Sequence, residues 1–185
     1  MRKVRVIRAF LTALGTAVLA LLVGVLPAAA SSVHLKGSQT FTDNGLTLSV
    51  SGALAGLGNG DVLVNMSATG NPTATCTNPS GVNKPPGQNP AAVTETGSTS
   101  IPASEIKNGN TPFGVMTKPP VSPIPGAPGC PGSSWTETIT DVAFTSATIT
   151  VEQPPGTTVL TATCTFSKPT ANGTVPSSNV SCTSS

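Results

Sequence analysis

Seven carboxylates, one histidine and four cysteines are the side chains of this 185-residue chain that could carry chemistry, and their spacing leaves them little to do. Acid–base and nucleophilic catalysis need a base of tuned pKa beside a nucleophile or a metal. His34 is the sole histidine, and its place near the amino end of the exported chain makes it a solvated edge-strand residue rather than a base. Glu137 and Asp141 lie four apart on an extended segment, so they share a face at a separation of about 13 Å. That is wider than the carboxyl pairs of glycosidases. Gly56-Leu57-Gly58-Asn59-Gly60-Asp61 has the glycines of a phosphate loop but no basic residue and no following helix, and reads as a turn. Asp43 and Asp61 with loop carbonyls are the one candidate calcium set, although oxygen cages draw on more carboxylates close in sequence. With no Cys-x-x-Cys pair and one histidine, the chain has no zinc set. The expectation is a chain without catalytic residues, metal or cofactor, and so not an enzyme.

The cysteines point to a framework instead. The residues TATCT occur at Thr73-Ala74-Thr75-Cys76-Thr77 and again at Thr161-Ala162-Thr163-Cys164-Thr165. In an alternating run Ala74 and Cys76 face one way and the threonines the other, and in the second copy Leu160, Ala162, Cys164 and Phe166 share the inward face. An even cysteine count in an exported chain reads as disulfides, with three connectivities open. The preferred pairing joins Cys76 to Cys130, tying a proline-rich loop to a strand, and Cys164 to Cys182, pinning the carboxyl tail. By chain entropy these closures are worth roughly 4 and 3 kcal/mol. The alternative joins Cys76 to Cys164 across two sheets, as in immunoglobulin domains, with Trp135 packed on the bridge.

Export is read from the amino end. Four basic residues in MRKVRVIR precede an apolar run from Ala9 to Leu26 that closes on Pro27-Ala28-Ala29-Ala30, a secretory signal peptide over residues 1–30. The run is also long enough to span a bilayer, so an uncleaved anchor is the alternative. Ser31 offers no thiol for a lipid, and the lack of a twin arginine points to general secretion. Loss of Arg2, Lys3, Arg5 and Arg8 leaves five lysines against seven carboxylates, which turns the formal charge from +2 to −2. The remaining Lys36, Lys84, Lys107, Lys118 and Lys168 are scattered and build no stripe along a phosphate backbone, which excludes nucleic acid as a partner. No membrane attachment is expected once the signal is cut.

The elements that must position these residues are strands. Leu46-Thr47-Leu48-Ser49-Val50-Ser51 and Ala147-Thr148-Ile149-Thr150-Val151-Glu152 alternate with period two, and no stretch carries an amphipathic helical stripe with caps. Strands are expected at residues 33–36, 39–43, 46–54, 61–69, 74–77, 93–99, 113–117, 135–143, 146–153, 159–167 and 179–183. Asn44-Gly45 is the strongest hairpin signal, and Asn59-Gly60, Asn108-Gly109, Asn172-Gly173 and Pro154-Pro155-Gly156 mark further turns. Around Val142-Ala143-Phe144 the apolar residues change parity, which marks a bulge or a strand changing sheets. Residues 78–90 and 118–132 hold prolines too dense for a hydrogen-bonded ladder and read as surface loops. The fold class is all-β: a single two-sheet antiparallel β-sandwich over residues 31–185, immunoglobulin-like and disulfide-stabilised.

The run LTLSVSGALAGLGNGDVLVNMSATGNPTATCTNPSG, followed by PPGQNP, IPASEIKNGN and TETITDVAFTSATITV, resembles a group of small secreted bacterial proteins, chiefly actinobacterial, that carry no assigned function. The resemblance implies a secreted sandwich and no activity. The functional expectation is a secreted, non-enzymatic protein with a structural or binding role at the cell surface, its partner a cell-wall component, an extracellular protein or a polysaccharide. The alternative is a carbohydrate or cell-wall binding module in which Trp135, with Ser133 and Ser134 beside it, would touch the ligand. A small secreted enzyme is the third reading. Intact mass of the exported protein tests the signal: a chain starting at Ser31 is expected, and one retaining Met1 would establish the anchor.

Overall fold

Threonine and the β-branched aliphatics that alternate along this chain fit a pleated surface covered on one side, and among the described residues they form nine strands. The computed structural model describes residues 32–81, 85–86 and 90–185; the segment over residues 1–30 expected to be a signal peptide and part of the first proline-rich loop lie outside the described residues. In order the strands are β1 (His34–Asp43), β2 (Leu48–Ala55), β3 (Val62–Thr77), β4 (Val93–Ile101), β5 (Thr111–Met116), β6 (Thr136–Glu152), β7 (Thr158–Phe166), β8 (Gly173–Thr174) and β9 (Val180–Ser184). They build two antiparallel sheets, one in the order β5-β2-β1-β8 and the other β4-β3-β6-β7-β9. The inner faces meet over Val50, Leu54, Val64, Met66, Ile149 and Val151, each at most 1% exposed. Phe41 of the smaller sheet meets Phe166 of the larger one edge to face, with ring centroids 5.2 Å apart. The sandwich expected from the alternation is therefore present.

The longest ladder is β3 against β6, and here the expected segments fuse. Residues 61–69 and 74–77 belong to one strand, because β3 keeps a single parity through Gly70-Asn71-Pro72. Gly70 is the last residue of β3 paired with β4, so beyond it Pro72 sits where β3 has a free edge and its missing N–H costs no ladder bond. Residues 135–143 and 146–153 likewise form one strand. The parity change is made by two bulges in β6, where Thr140 and Thr145 have no partner in β3, and the strand stays in one sheet. Residues 33–36 and 39–43 join into β1 through an irregularity after Lys36, where Gly37 takes a φ of +70°. The two-residue turn expected at Asn44-Gly45 is instead a four-residue loop, since Asp43 pairs with Leu48. Gly45 N–H donates to Asp43 Oδ1 (2.8 Å) and its carbonyl accepts from Val142 N–H (2.8 Å), so the loop is held open by docking on β6. Asn108-Gly109 does form a two-residue turn, both residues having positive φ, with reciprocal bonds between Lys107 and Asn110. The two-residue β8 had no sequence signal.

Past Gly70 and Phe144, β3 and β6 continue as a two-stranded ribbon without β4 or β7 beside it. Described residues of both proline-rich loops bond to it. Cys76 N–H donates to the Pro85 carbonyl (2.9 Å), and Ile124 N–H donates to the Glu137 carbonyl (2.8 Å). Cys76 is bonded to Cys130 and Cys164 to Cys182, and the described residues contain no free cysteine. The alternative bridge from Cys76 to Cys164 is not formed, because Cys76 lies on the ribbon while Cys164 pairs directly with Cys182 of β9. Two such bonds mark an oxidising, non-cytoplasmic environment. Among the described residues no helix is long and apolar enough to cross a membrane.

The free edges of β4 and β5 are drawn together. Lys118 N–H donates to the Thr96 carbonyl (2.9 Å) and Thr99 Oγ1 donates to the Gly114 carbonyl (2.8 Å). This closeness requires glycine at 97, where a Cβ would lie 1.9 Å from the Met116 carbonyl oxygen. Gly97→Ala is expected to cost about 1–3 kcal/mol through forced backbone displacement, read as a melting temperature lower by roughly 2–4 °C per kcal/mol. Replacing both Cys76 and Cys130 by alanine should open residues 118–132 to limited proteolysis while the β circular-dichroism spectrum persists, since the cross-link closes a segment with almost no ladder of its own.

Candidate functional site

The residues singled out for chemistry are dispersed. His34 is exposed at the start of β1, with Nδ1–H donating to the Ser32 carbonyl (2.9 Å). Asp61 Oδ1 accepts from Ala103 N–H (2.8 Å) at one end of the sandwich, whereas Asp43 lies at the other end, at the opposite end of β2. The described residues contain no group of three or more His, Cys, Asp or Glu able to hold a metal ion. Glu137 is only 1% exposed and its Oε2 accepts from Gly129 N–H (2.9 Å), so it anchors the second proline-rich loop. The bulge at Thr140 separates it from Asp141, whose side chain lies instead beside Gly45 and Asn172. The Gly56–Asp61 segment is the turn expected: Gln153 Oε1 accepts from Gly58 N–H (2.7 Å), and Gln153 Nε2 donates to the carbonyls of Gly58 (3.0 Å) and Gly60 (2.6 Å). Trp135 is half-buried against Gly132 on a turn closed by its own N–H to the Gly132 carbonyl (3.0 Å), with Ser133 and Ser134 exposed next to it. The surface concavities described here are lined by other residues.

Sequence reasoning missed a buried polar seam between the sheets. Thr170, far along the chain, donates its hydroxyl to Asp43 Oδ2 and accepts from Phe144 N–H (2.8 Å). Thr117 donates to Glu95 Oε2 (2.8 Å) and accepts from Leu48 N–H (2.9 Å). Glu95 is 4% exposed and its Oε1 has no hydrogen-bond partner; Asp141 Oδ1 is likewise buried and unpaired. Burial holds the Glu95 carboxyl above its ordinary range, opposed by the Thr117 hydrogen bond and reinforced by the Asp43 charge. Asp141 is raised for the same leading reason and by Asp43, against hydrogen bonds from Asn172 and Val142.

The outer face of the larger sheet is the other feature that only the structure assembles. Its registers align outward residues in rows across five strands. One row is Thr94, Thr69, Ser146, Thr165 and Ser181. The next is Thr96, Ser67, Thr148, Thr163 and Thr183. The third is Ser98, Asn65, Thr150, Thr161 and Ser185, the last held by reciprocal backbone bonds to Thr161. Fourteen of these fifteen positions are serine or threonine, the other is Asn65, and none is charged. The rows repeat at about 6.7 Å along the strands and about 4.8 Å across them. Over β4, β3 and β6 the face dips into a shallow concavity of about 340 Å³ with Lys118 at its rim. The signal lay in the runs VTETGSTS, SATITV and TATCT, whose alternate hydroxyls were legible although their alignment into rows was not.

Compared with known proteins, the chain matches no protein-family model, no curated sequence and no solved structure.

The buried carboxyls make a pH prediction. With its folded pKa raised above that of the unfolded chain, Glu95 binds its proton more tightly in the fold, so its contribution is complete below about pH 4.5 and is lost as pH rises through the raised value. Glu95→Gln should therefore raise the melting temperature at pH 7–8 and change it much less near pH 4, measured by calorimetry at both values.

Proposed function

We propose that this chain is an exported, non-enzymatic β-sandwich that serves outside the cytoplasm as a structural or binding module. The observation that carries the reading is the uncharged hydroxyl face on a rigid, doubly cross-linked scaffold. Immunoglobulin-like sandwiches work by this plan, in which a stiff framework presents a recognition surface. Four of the seven carboxylates take part in holding the fold: Asp43 and Glu95 act between the sheets, Glu137 holds a loop and Asp61 the segment at Ala103. The signal-like amino end, the disulfides and the resemblance to small secreted bacterial proteins support a place at or beyond the cell surface.

The disulfide-intact protein, incubated with ester, peptide and glycoside substrates, is expected to give no turnover above buffer while being retained on insoluble cell-envelope material. Turnover abolished by a single substitution would overturn the reading, as would the lack of retention on any envelope fraction or extracellular polymer.

A further inference from the structure

We propose that the hydroxyl face of the β4-β3-β6-β7-β9 sheet is a binding site for an uncharged polysaccharide, with the trough over β4, β3 and β6 as its centre; this rests on the reading of the chain as a binding module. The argument begins with where the charges are. Soluble sheets ordinarily scatter lysine and glutamate among exposed threonines. Here the order is reversed, with Asp43, Glu95 and Glu137 buried at 2%, 4% and 1% exposure while fifteen adjacent outward positions carry no charge. The neighbouring Glu152 is engaged by Asn65 Nδ2 (2.9 Å) and Gly156 N–H (2.6 Å). The fifteen row positions offer no ionic contact to an anionic or cationic polymer and impose no cost of charge desolvation on a neutral one, while Lys118 stands at the rim of the trough, outside the rows.

Its hydroxyls each donate and accept, which matches the edges of a polyol. Threonine and serine on strands have few rotamers to lose, so little ordering opposes contact. The array has no aromatic ring on which a pyranose could stack, which makes each sugar contact weak and requires a polymer that engages several rows at once. Strand twist of about 20–25° per neighbour rotates each row against the next, so a rigid flat lattice such as ice loses register across five strands. A flexible chain lying in the 340 Å³ trough past Ser67, Thr96, Thr148 and Thr150 follows that twist.

The test is retention of the folded protein on immobilised dextran, amylose and hydroxyethylcellulose, which are neutral and flexible, with pectate as the anionic polymer. Retention on at least one neutral polymer is expected, unchanged between low salt and about 0.5 M. Thr148→Lys should weaken it by about tenfold or more, and the shape-preserving double substitution Thr148→Val with Thr163→Val by a similar factor, the loss of one or two net hydrogen bonds. Ser51→Lys, on the outer face of the other sheet, should leave it unchanged, and each variant's melting curve separates lost binding from lost fold. Binding to pectate alone with steep salt dependence, growth arrest of ice crystals, or self-association through this face would overturn the proposal, as would full retention by Thr148→Lys. Retention on cell-envelope material without any neutral polymer overturns this inference and leaves the binding module standing; retention on nothing removes both.

Discussion

The β3–β6 ladder is the constraint on which the rest of the molecule depends. It runs from Leu63 opposite Glu152 to Thr77 opposite Thr136, far longer than the strands flanking it. Over its first half β4 and β7 lie alongside and the inner face rests on the smaller sheet. Over its second half it has no such neighbours, and an unguarded two-stranded ribbon is a template for association. The proline-rich loops answer this. Prolines lack the N–H that would extend pairing outward, the ribbon donates a main-chain bond to the Pro85 carbonyl and accepts one from Ile124 N–H, and the Cys76–Cys130 bond keeps one loop against it. The bulges at Thr140 and Thr145 shift the inward face between the two halves, which is how Ile139, Val142, Phe144 and Ala147 all reach the core from one strand.

Closure of the sandwich relies on polar groups. Thr170 links Asp43 of β1 to Phe144 of β6, and Thr117 links Glu95 of β4 to Leu48 of β2, so each threonine bridges the two sheets from a connecting segment and satisfies a main-chain N–H. A buried carboxylate is costly without partners, and the unpaired Glu95 Oε1 shows that the compensation is incomplete. The consequence reaches the surface. With much of its acidic charge spent inside and its few lysines scattered, the chain leaves its broadest face neutral, and there neutrality and repetition coincide.

Much of this was legible from residue types. Alternation with period two announced strands, the even cysteine count announced bridges, and the parity slip near Val142 announced the bulging of β6, because each is a local consequence of how a pleated chain exposes its side chains. Proline density marked the two loops for the same local reason. What remained hidden was register. The break assumed at Gly70-Asn71-Pro72 vanishes because β4 stops there, a fact about a neighbouring strand. Trp135 stood out by composition, but that it is half-buried on a turn against Gly132 depends on what surrounds it.

The chain by itself thus determined the class of element and the oxidising destination, since these follow from side-chain chemistry and short-range geometry. Tertiary structure alone decided which threonines stand beside which, that Thr170 reaches Asp43, and that fourteen hydroxyls form one surface. The physical reason is that sheet pairing is non-local: a shift of one residue would turn every side chain of a strand to the opposite face, and the register that prevents it is set by the packing of the whole core.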